Sequence, residues 1–321
     1  MILNLSILNF NYMALNKFVL RLLVFLAILV VADQIVGKVL GELYKNAGDK
    51  FARENYMREK LKDDVLIFGS SHAVNHYVPQ IISDSLKMSV YNCGQRGNGI
   101  IYEYGRLQSI LKRYTPKLIL LDVVKCYDLD VTDNSTYLDF LKVDYGTNDS
   151  IDKIFETIDP YSPIKLRCQS YKYNSLLCDL VLNNILRNRG RYSKDGFMPL
   201  EGFWKIPNGA NLTRAPQVKA FDYDSIKLKY IEKMFSEKPK DTKLIVLISP
   251  MYFGEQTNIF YPIKKLCSKY SIPMLDYYAD KRFKGKLNWY HDVEHLNVIG
   301  AKEYSSIVGN DIKELIKSSK K

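Results

Sequence analysis

Two places in the chain bring together residue types that nucleophilic chemistry needs. The first is "DVLIFGSSH", residues 64–72, where an apolar run stops at Gly69 and gives way to Ser70, Ser71 and His72. The second, far down the chain, is "HDVEHLN", residues 291–297, in which Asp292 stands three positions before His295. A serine hydroxyl is a weak nucleophile at its own pKa. It gains strength from an adjacent imidazole that a third group holds in one tautomer. The three-residue spacing lets the Asp292 carboxylate reach one ring nitrogen of His295 while the other faces a serine. Ser71, His295 and Asp292 are therefore the candidate nucleophile, base and orienting acid. Each also has a plain structural reading: the serines stand where a helix N-cap belongs, and Asp292 stands where an acid favours a helix N-terminus. Their joint occurrence, each at the end of a strand-like run, favours the chemical reading.

Other polar residues are weighed in the same way. His72 and His76 read as pocket-lining or helix residues with a substrate-contact role open to them, and His291 as a surface residue. The four histidines form no His-Glu-x-x-His pattern, and the five cysteines (93, 126, 168, 178, 267) form no Cys-x-x-Cys pair or zinc-like spacing. No metal site and no cofactor is expected. The cysteines read as buried free thiols; in an exported domain a Cys168–Cys178 disulfide is conceivable. The aromatic runs "MYFGEQTNIFY" and "LNWYHD" flank the presumed site and suit either core packing or stacking on sugar faces.

These residues need a scaffold, and the hydrophobic pattern supplies one. Five short apolar runs rich in β-branched residues end in turn chemistry, at 64–70, 89–94, 117–124, 242–250 and 273–278. Near-continuous apolarity is the mark of strands buried on both faces. Helical patterns lie at 99–113, 222–236, 259–270 and 297–317, so strand and helix alternate and a parallel sheet with helices on both sides follows. Residues 130–215 break the rhythm and read as an insertion over the sheet, with a helix around 174–189. In an open parallel sheet ligands bind beyond the carboxyl ends of the strands, where Ser71, Asn92 and Gly94 fall.

Ahead of this domain, "FVLRLLVFLAILVVA" at 18–32 carries one charge, Arg21, and its apolar character continues past Asp33 to Leu40. A tilted helix over 18–41 is long enough to span a bilayer if Arg21 snorkels; a cleaved leader ending near Ala32 is the alternative. Residues 1–45 are thus read as an anchor or signal segment and 46–321 as the functional domain. Lys17 and Arg21 flank the run and nothing before Asp33 is acidic, which places the domain outside the cytoplasm. The formal net charge of +11 comes from 46 basic and 35 acidic residues without a like-charge block. A nucleic-acid partner is not expected, whereas a basic surface suits anionic lipid.

With "VLIFGSSH", "YNCGQRGNG" and "DVEHLNVIGAKEYS" in that order, the chain resembles the SGNH/GDSL hydrolase superfamily. The resemblance implies a three-layer α/β/α fold with a flavodoxin-like parallel sheet of about five strands. By position it makes Ser71 the nucleophile, His295 the base and Asp292 its partner, with Ser71 and Gly94 giving backbone N–H groups to the oxyanion hole. Two departures stand out. Ser70 replaces the family's Asp before the nucleophile, and the Gly-x-Asn block after the third strand is replaced by "VVKCYDLD". A side-chain oxyanion donor is thus unassigned, with Asn98, Lys125 and Asn92 as candidates. The implied activity is that of a serine esterase or O-acyltransferase acting on acylated carbohydrate or another ester of the cell envelope, periplasmic or at the cell surface. A non-catalytic envelope-binding protein that keeps the fold is the competing class.

Overall fold

The computed structural model of the chain describes residues 3–186, 192–205, 221–255 and 258–318, with side chains from residue 14 onward other than that of Leu186. The parts of the expected insertion and its helix at 187–191 and 206–220 lie outside the described residues. One long helix, α1 (Leu3–Asn46), is followed by α2 (Asp49–Glu59) and the first strand, β1 (Val65–Phe68). Then come α3 (Ser71–His76), α4 (Pro79–Leu86), β2 (Val90–Asn92), α5 (Ile100–Leu111) and β3 (Leu118–Asp122). Between β3 and β4 lie α6 (Lys125–Asp128) and, within the expected insertion at 130–215, α7 (Asp139–Lys142), α8 (Asp149–Ile158), α9 (Ser162–Lys165), a 3₁₀ segment (Ser170–Leu176) and α10 (Leu177–Leu186). The chain ends with α11 (Ser225–Glu237), β4 (Lys243–Ile248), α12 (Tyr261–Lys269), β5 (Met274–Asp276) and α13 (Val298–Ser318).

All five strands pair in parallel in the order β2-β1-β3-β4-β5. Successive strand residues point to opposite faces, so each strand feeds two cores. Leu66, Phe68, Ile119, Leu121, Leu244 and Val246 pack with α2, α5, α8 and α11. Val65, Ile67, Leu118, Leu120, Ile245 and Leu247 face Ile82 of α4 and Tyr304, Val308 and Ile312 of α13. This double burial explains the unbroken apolar runs and gives the three layers. β5, at the edge, is only half covered. Because β1 is flanked by β2 on one side and β3 on the other, the strand order reverses between β1 and β3, and a crevice opens at their carboxyl ends.

α1 is a single helix well beyond the 18–41 expected from hydropathy, and its Ala14–Asn46 portion is long and apolar enough to cross a membrane. Expected helix bounds hold within a few residues for α5, α11, α12 and α13, whereas α2, α4 and the short helices α6 to α9 lie outside the expected ranges. All five cysteines are free thiols, so Cys168 and Cys178 are not joined, and only Cys93 and Cys267 are buried.

Candidate active site

Ser71 is the first residue of α3, directly beyond the turn that ends β1. That turn needs glycine: Gly69 has φ +145, and a Cβ there would stand 2.8 Å from both the Asp122 carbonyl oxygen and Ala73 Cβ. The close approach of β1's end to β3 is what aims Ser71 into the crevice. Ser70, beside it, is fully buried, and its hydroxyl finds no partner among the described residues. It caps nothing, so the local hydrogen bond that an N-cap serine would make is absent.

His295 arrives from the other end of the chain on a tight loop. The His291 N–H donates to the His295 carbonyl (2.8 Å), and Tyr290 bridges to Leu296. Asn297 locks this loop to α13: its Oδ1 accepts the N–H groups of Ile299 and Gly300 (3.0 Å each), capping the helix. Its Nδ2 donates to the carbonyls of Asn288 (2.9 Å) and Gly202 (3.0 Å). The outcome is a linear constellation. Ser71 Oγ lies 2.8 Å from His295 Nε2, and His295 Nδ1 lies 2.9 and 3.0 Å from the two carboxylate oxygens of Asp292. Asp292 Oδ1 also accepts the backbone N–H groups of Glu294 (2.8 Å) and His295 (2.7 Å). Burial pushes the Asp292 carboxyl up, but its hydrogen bonds and the adjacent His295 ring outweigh it and hold its pKa at about 2. The acid is ionised at any ordinary pH and orients the ring with Nδ1 as donor and Nε2 as acceptor.

The other histidines divide. His72 lines a cavity of about 240 Å³ together with Val124, Lys125, Ile248, Met251, Phe260 and Glu294. This cavity touches the neighbours in sequence of both Ser71 and His295 and the segment just after β3. Burial, then the proximity of His295, lowers the His72 pKa to about 3, so this wall is neutral. His76 does not reach the cavity. It is fully buried, stacked on His72 (ring centroids 4.6 Å apart), and its Nε2 accepts the Leu296 N–H at 3.0 Å. That bond holds the backbone directly after His295. His291 is exposed and donates from Nδ1 to the Glu201 carbonyl at 2.8 Å. The aromatic runs pack on one another, with Tyr252 5.0 Å from Trp204 and 5.3 Å from Tyr290, while Met251 and Phe260 reach the cavity.

The expected oxyanion set is only partly in place. The Ser71 N–H, at the first position of α3, lies outside the intrahelical ladder. The Gly94 N–H, however, donates to Asn92 Oδ1 at 3.0 Å, and Gly94 is required for packing: a Cβ would stand 2.6 Å from the Val74 nitrogen. Asn92 spends both amide hydrogens on the carbonyls of Ala73 (2.7 Å) and Tyr77 (3.0 Å). Asn98 donates to the Tyr137 carbonyl at 2.9 Å, toward a second cavity of about 280 Å³ lined by Gly97, Tyr127 and Tyr137. Of the three side-chain candidates, only Lys125 lines the cavity beside Ser71 and His295. Its Nζ sits 5.1 Å from the Phe221 ring centre.

Three supports escaped sequence reasoning. Asp122, which closes β3, accepts hydrogen bonds from Tyr77 and Ser249 (2.7 Å each), and the Tyr77 hydroxyl meets that of Tyr304 at 3.0 Å. This buried hub ties the end of α3 to β3, β4 and α13. Burial raises the Asp122 pKa to about 7 against the pull of those hydrogen bonds. Its only sequence signal is an acid ending an apolar strand. Arg53 of α2, also buried, donates to Gln95 Oε1 (2.9 Å) and to the carbonyls of Asn92 and Gly94 (2.6 Å each), clamping the glycine block. Asp128 accepts the N–H groups of Val124 (2.7 Å) and Ile100 (2.8 Å), pinning the loop after β3 to the start of α5.

No family model matches the chain, and no curated protein matches it. Among solved structures it is similar to a Streptococcus pneumonia protein named for platelet activating factor, at 12% identity and TM-score 0.38, over 88% of this chain and 98% of that one. A gut microbial diltiazem-metabolizing enzyme aligns at 12% identity and TM-score 0.37, over 78% of this chain and 47% of its own. A lipolytic protein of the G-D-S-L family from Desulfitobacterium hafniense DCB-2 aligns at 11% and 0.36, over 78% and 97%. A G-D-S-L family protein is thus among the structures the chain is similar to, and at these TM-scores the likeness carries no argument about activity.

Proposed function

We propose that the protein is a serine hydrolase of the SGNH type that cleaves or transfers ester-linked acyl groups. The observation that carries this reading is the Ser71–His295–Asp292 line, closed at 2.8 to 3.0 Å by residues from opposite ends of the domain. Ser71 Oγ attacks the ester carbonyl as His295 Nε2 takes its proton. The resulting imidazolium, steadied by ionised Asp292, returns the proton to the leaving alcohol. Water, or a sugar hydroxyl, then resolves the acyl-enzyme by the reverse proton path. In this reading the Ser71 N–H and the Lys125 ammonium are the donors offered to the developing oxyanion, and the apolar residues Val124, Ile248, Met251 and Phe260 of the adjoining cavity receive a short acyl group.

The substrate in this reading is an acylated carbohydrate of the cell envelope, met by a domain that α1 holds outside the cytoplasm. Support comes from the apolar helix α1 and the basic residues that precede its core. The test is incubation of isolated envelope polysaccharide with the full-length protein and quantification of released carboxylate. Release by wild type and none by Ser71→Ala is the expected result. A second reading, a binding protein that keeps the fold, is favoured by one specific observation: the Gly94 N–H is committed to Asn92 and leaves the oxyanion hole short of a donor. On that reading Ser71→Ala still binds the polysaccharide and neither protein releases acid.

A further inference from the structure

The insertion is strapped along the second half of α1. Asp33 accepts the N–H groups of Gln169 (2.7 Å) and Ser170 (3.0 Å) and the Ser170 hydroxyl (2.5 Å). Asn184 of α10 donates to the Leu43 carbonyl at 3.1 Å, and Asp179 pairs with Lys50. With Asp179 beside Lys50 and Asn184 beside Leu43, α10 runs antiparallel to α1, so its direction carries Ile185 toward the apolar span.

The outward faces of these elements are apolar where a water-facing helix is polar. Leu180 and Asn183 of α10 are buried, while Leu182 and Ile185 are 50% and 69% exposed. On α9 and the residue before it, Ile164 and Tyr161 are each 68% exposed, flanked by exposed Lys165 and Arg167. Single exposed apolar residues are ordinary, but here they gather on α10, which packs along α1, and on α9, a few residues before the Gln169–Ser170 strap, beside a helix whose own Ile35 and Val39 are open.

We propose that α9 and α10 form a collar seated on the lipid surface around α1, fixing the tilt and height of the domain rather than leaving it on a free tether. This rests on α1 being a retained membrane span. Lipid is the occupant because the collar is continuous with that span, and because tyrosine with flanking lysine and arginine suits the headgroup zone of an anionic bilayer.

The experiment uses the full-length protein with Cys126, Cys168 and Cys178 changed to Ser, leaving only the two buried thiols. Single cysteines carrying an environment-sensitive NBD dye replace Ile164, Ile185, Val24 in α1 or Lys313 on α13, which lies on the other face of the sheet. The labelled proteins are reconstituted in phosphatidylcholine/phosphatidylglycerol vesicles with or without a nitroxide-bearing lipid. Blue-shifted emission and nitroxide quenching at 164 and 185, comparable to position 24 and missing at 313, is the expected result. Quenching at 24 without quenching at 164 and 185 overturns the collar and leaves the anchor. No quenching at 24 overturns the anchor reading itself. A blue shift at 164 and 185 without lipid quenching assigns the face to a second copy of the chain or another protein and overturns the lipid assignment.

Discussion

Replacing Asp122 by Asn changes how stability varies with pH, and the size of the change follows from burial. Asp122 has no exposed surface, and its pKa stands at about 7 in the fold against 3.8 in the unfolded chain. Between those values the unfolded chain releases the proton and the folded one keeps it, so stability is full below pH 3.8 and falls as pH rises to about 7. The interval from 3.8 to about 7, at roughly 1.36 kcal/mol per unit, is worth about 4 kcal/mol. Asn keeps an oxygen for the Tyr77 and Ser249 hydroxyls and cannot ionise. Its amide N–H groups meet the side on which Asp122 Oδ2 has no partner among the described residues, which offsets the curve by a constant and leaves its slope untouched. Removing the Asp122 charge also eases ionisation of Asp128 and Glu103, whose pKa values burial and mutual repulsion raise, and this acts in the same direction. The assay is urea unfolding followed by tryptophan fluorescence at half-unit steps from pH 4 to 8. Relative to wild type, Asp122→Asn should gain about 4 kcal/mol across that range. Parallel curves for the two proteins refute the reasoning.

Three further outcomes are expected at the site. Asp292→Asn leaves the protein folded but lets the ring of His295 turn or adopt the other tautomer, so ester turnover should drop by about 10⁴ while the thermal midpoint holds; a loss under tenfold removes Asp292 from the mechanism. Lys125→Met should lower kcat by about 10² to 10³ with little change in KM, as expected for a group that meets the oxyanion only in the transition state. A raised KM at constant kcat would make it a ground-state contact instead. Ser70→Ala removes a buried hydroxyl that has no partner among the described residues, so stability within about 1 kcal/mol of wild type and full activity are expected; an inactive variant would put the nucleophile one residue earlier.

The sheet was legible because its strands are buried on both faces, and "VLIF", "LILLD" and "KLIVLI" leave a pattern that neither a loop nor an amphipathic helix produces. The Asp292–His295 spacing was legible for a similar reason: three residues bring the two side chains together whatever surrounds them. What the sequence withheld depends on long-range packing. Whether the Gly94 N–H is free is decided by the Asn92 side chain, and what the His76 ring bonds to is decided by the loop that carries Leu296. Arg53 looks like any helix-surface arginine until α2 folds back over the glycine block. At its C-terminal end α1 was underestimated because hydropathy stops at Leu40, whereas the helix continues to Asn46 alongside the insertion.

The central claim is that His295 activates Ser71, and reaction with a fluorophosphonate probe measures this directly, since only an activated serine is phosphonylated. Intact-protein mass followed by peptide mapping should show one adduct, on Ser71, in the wild type. Ser70→Ala should keep that adduct, and Ser71→Ala and His295→Ala should give none. Equal labelling of wild type and Ser71→Ala, or labelling of His295→Ala at the wild-type rate, would contradict it.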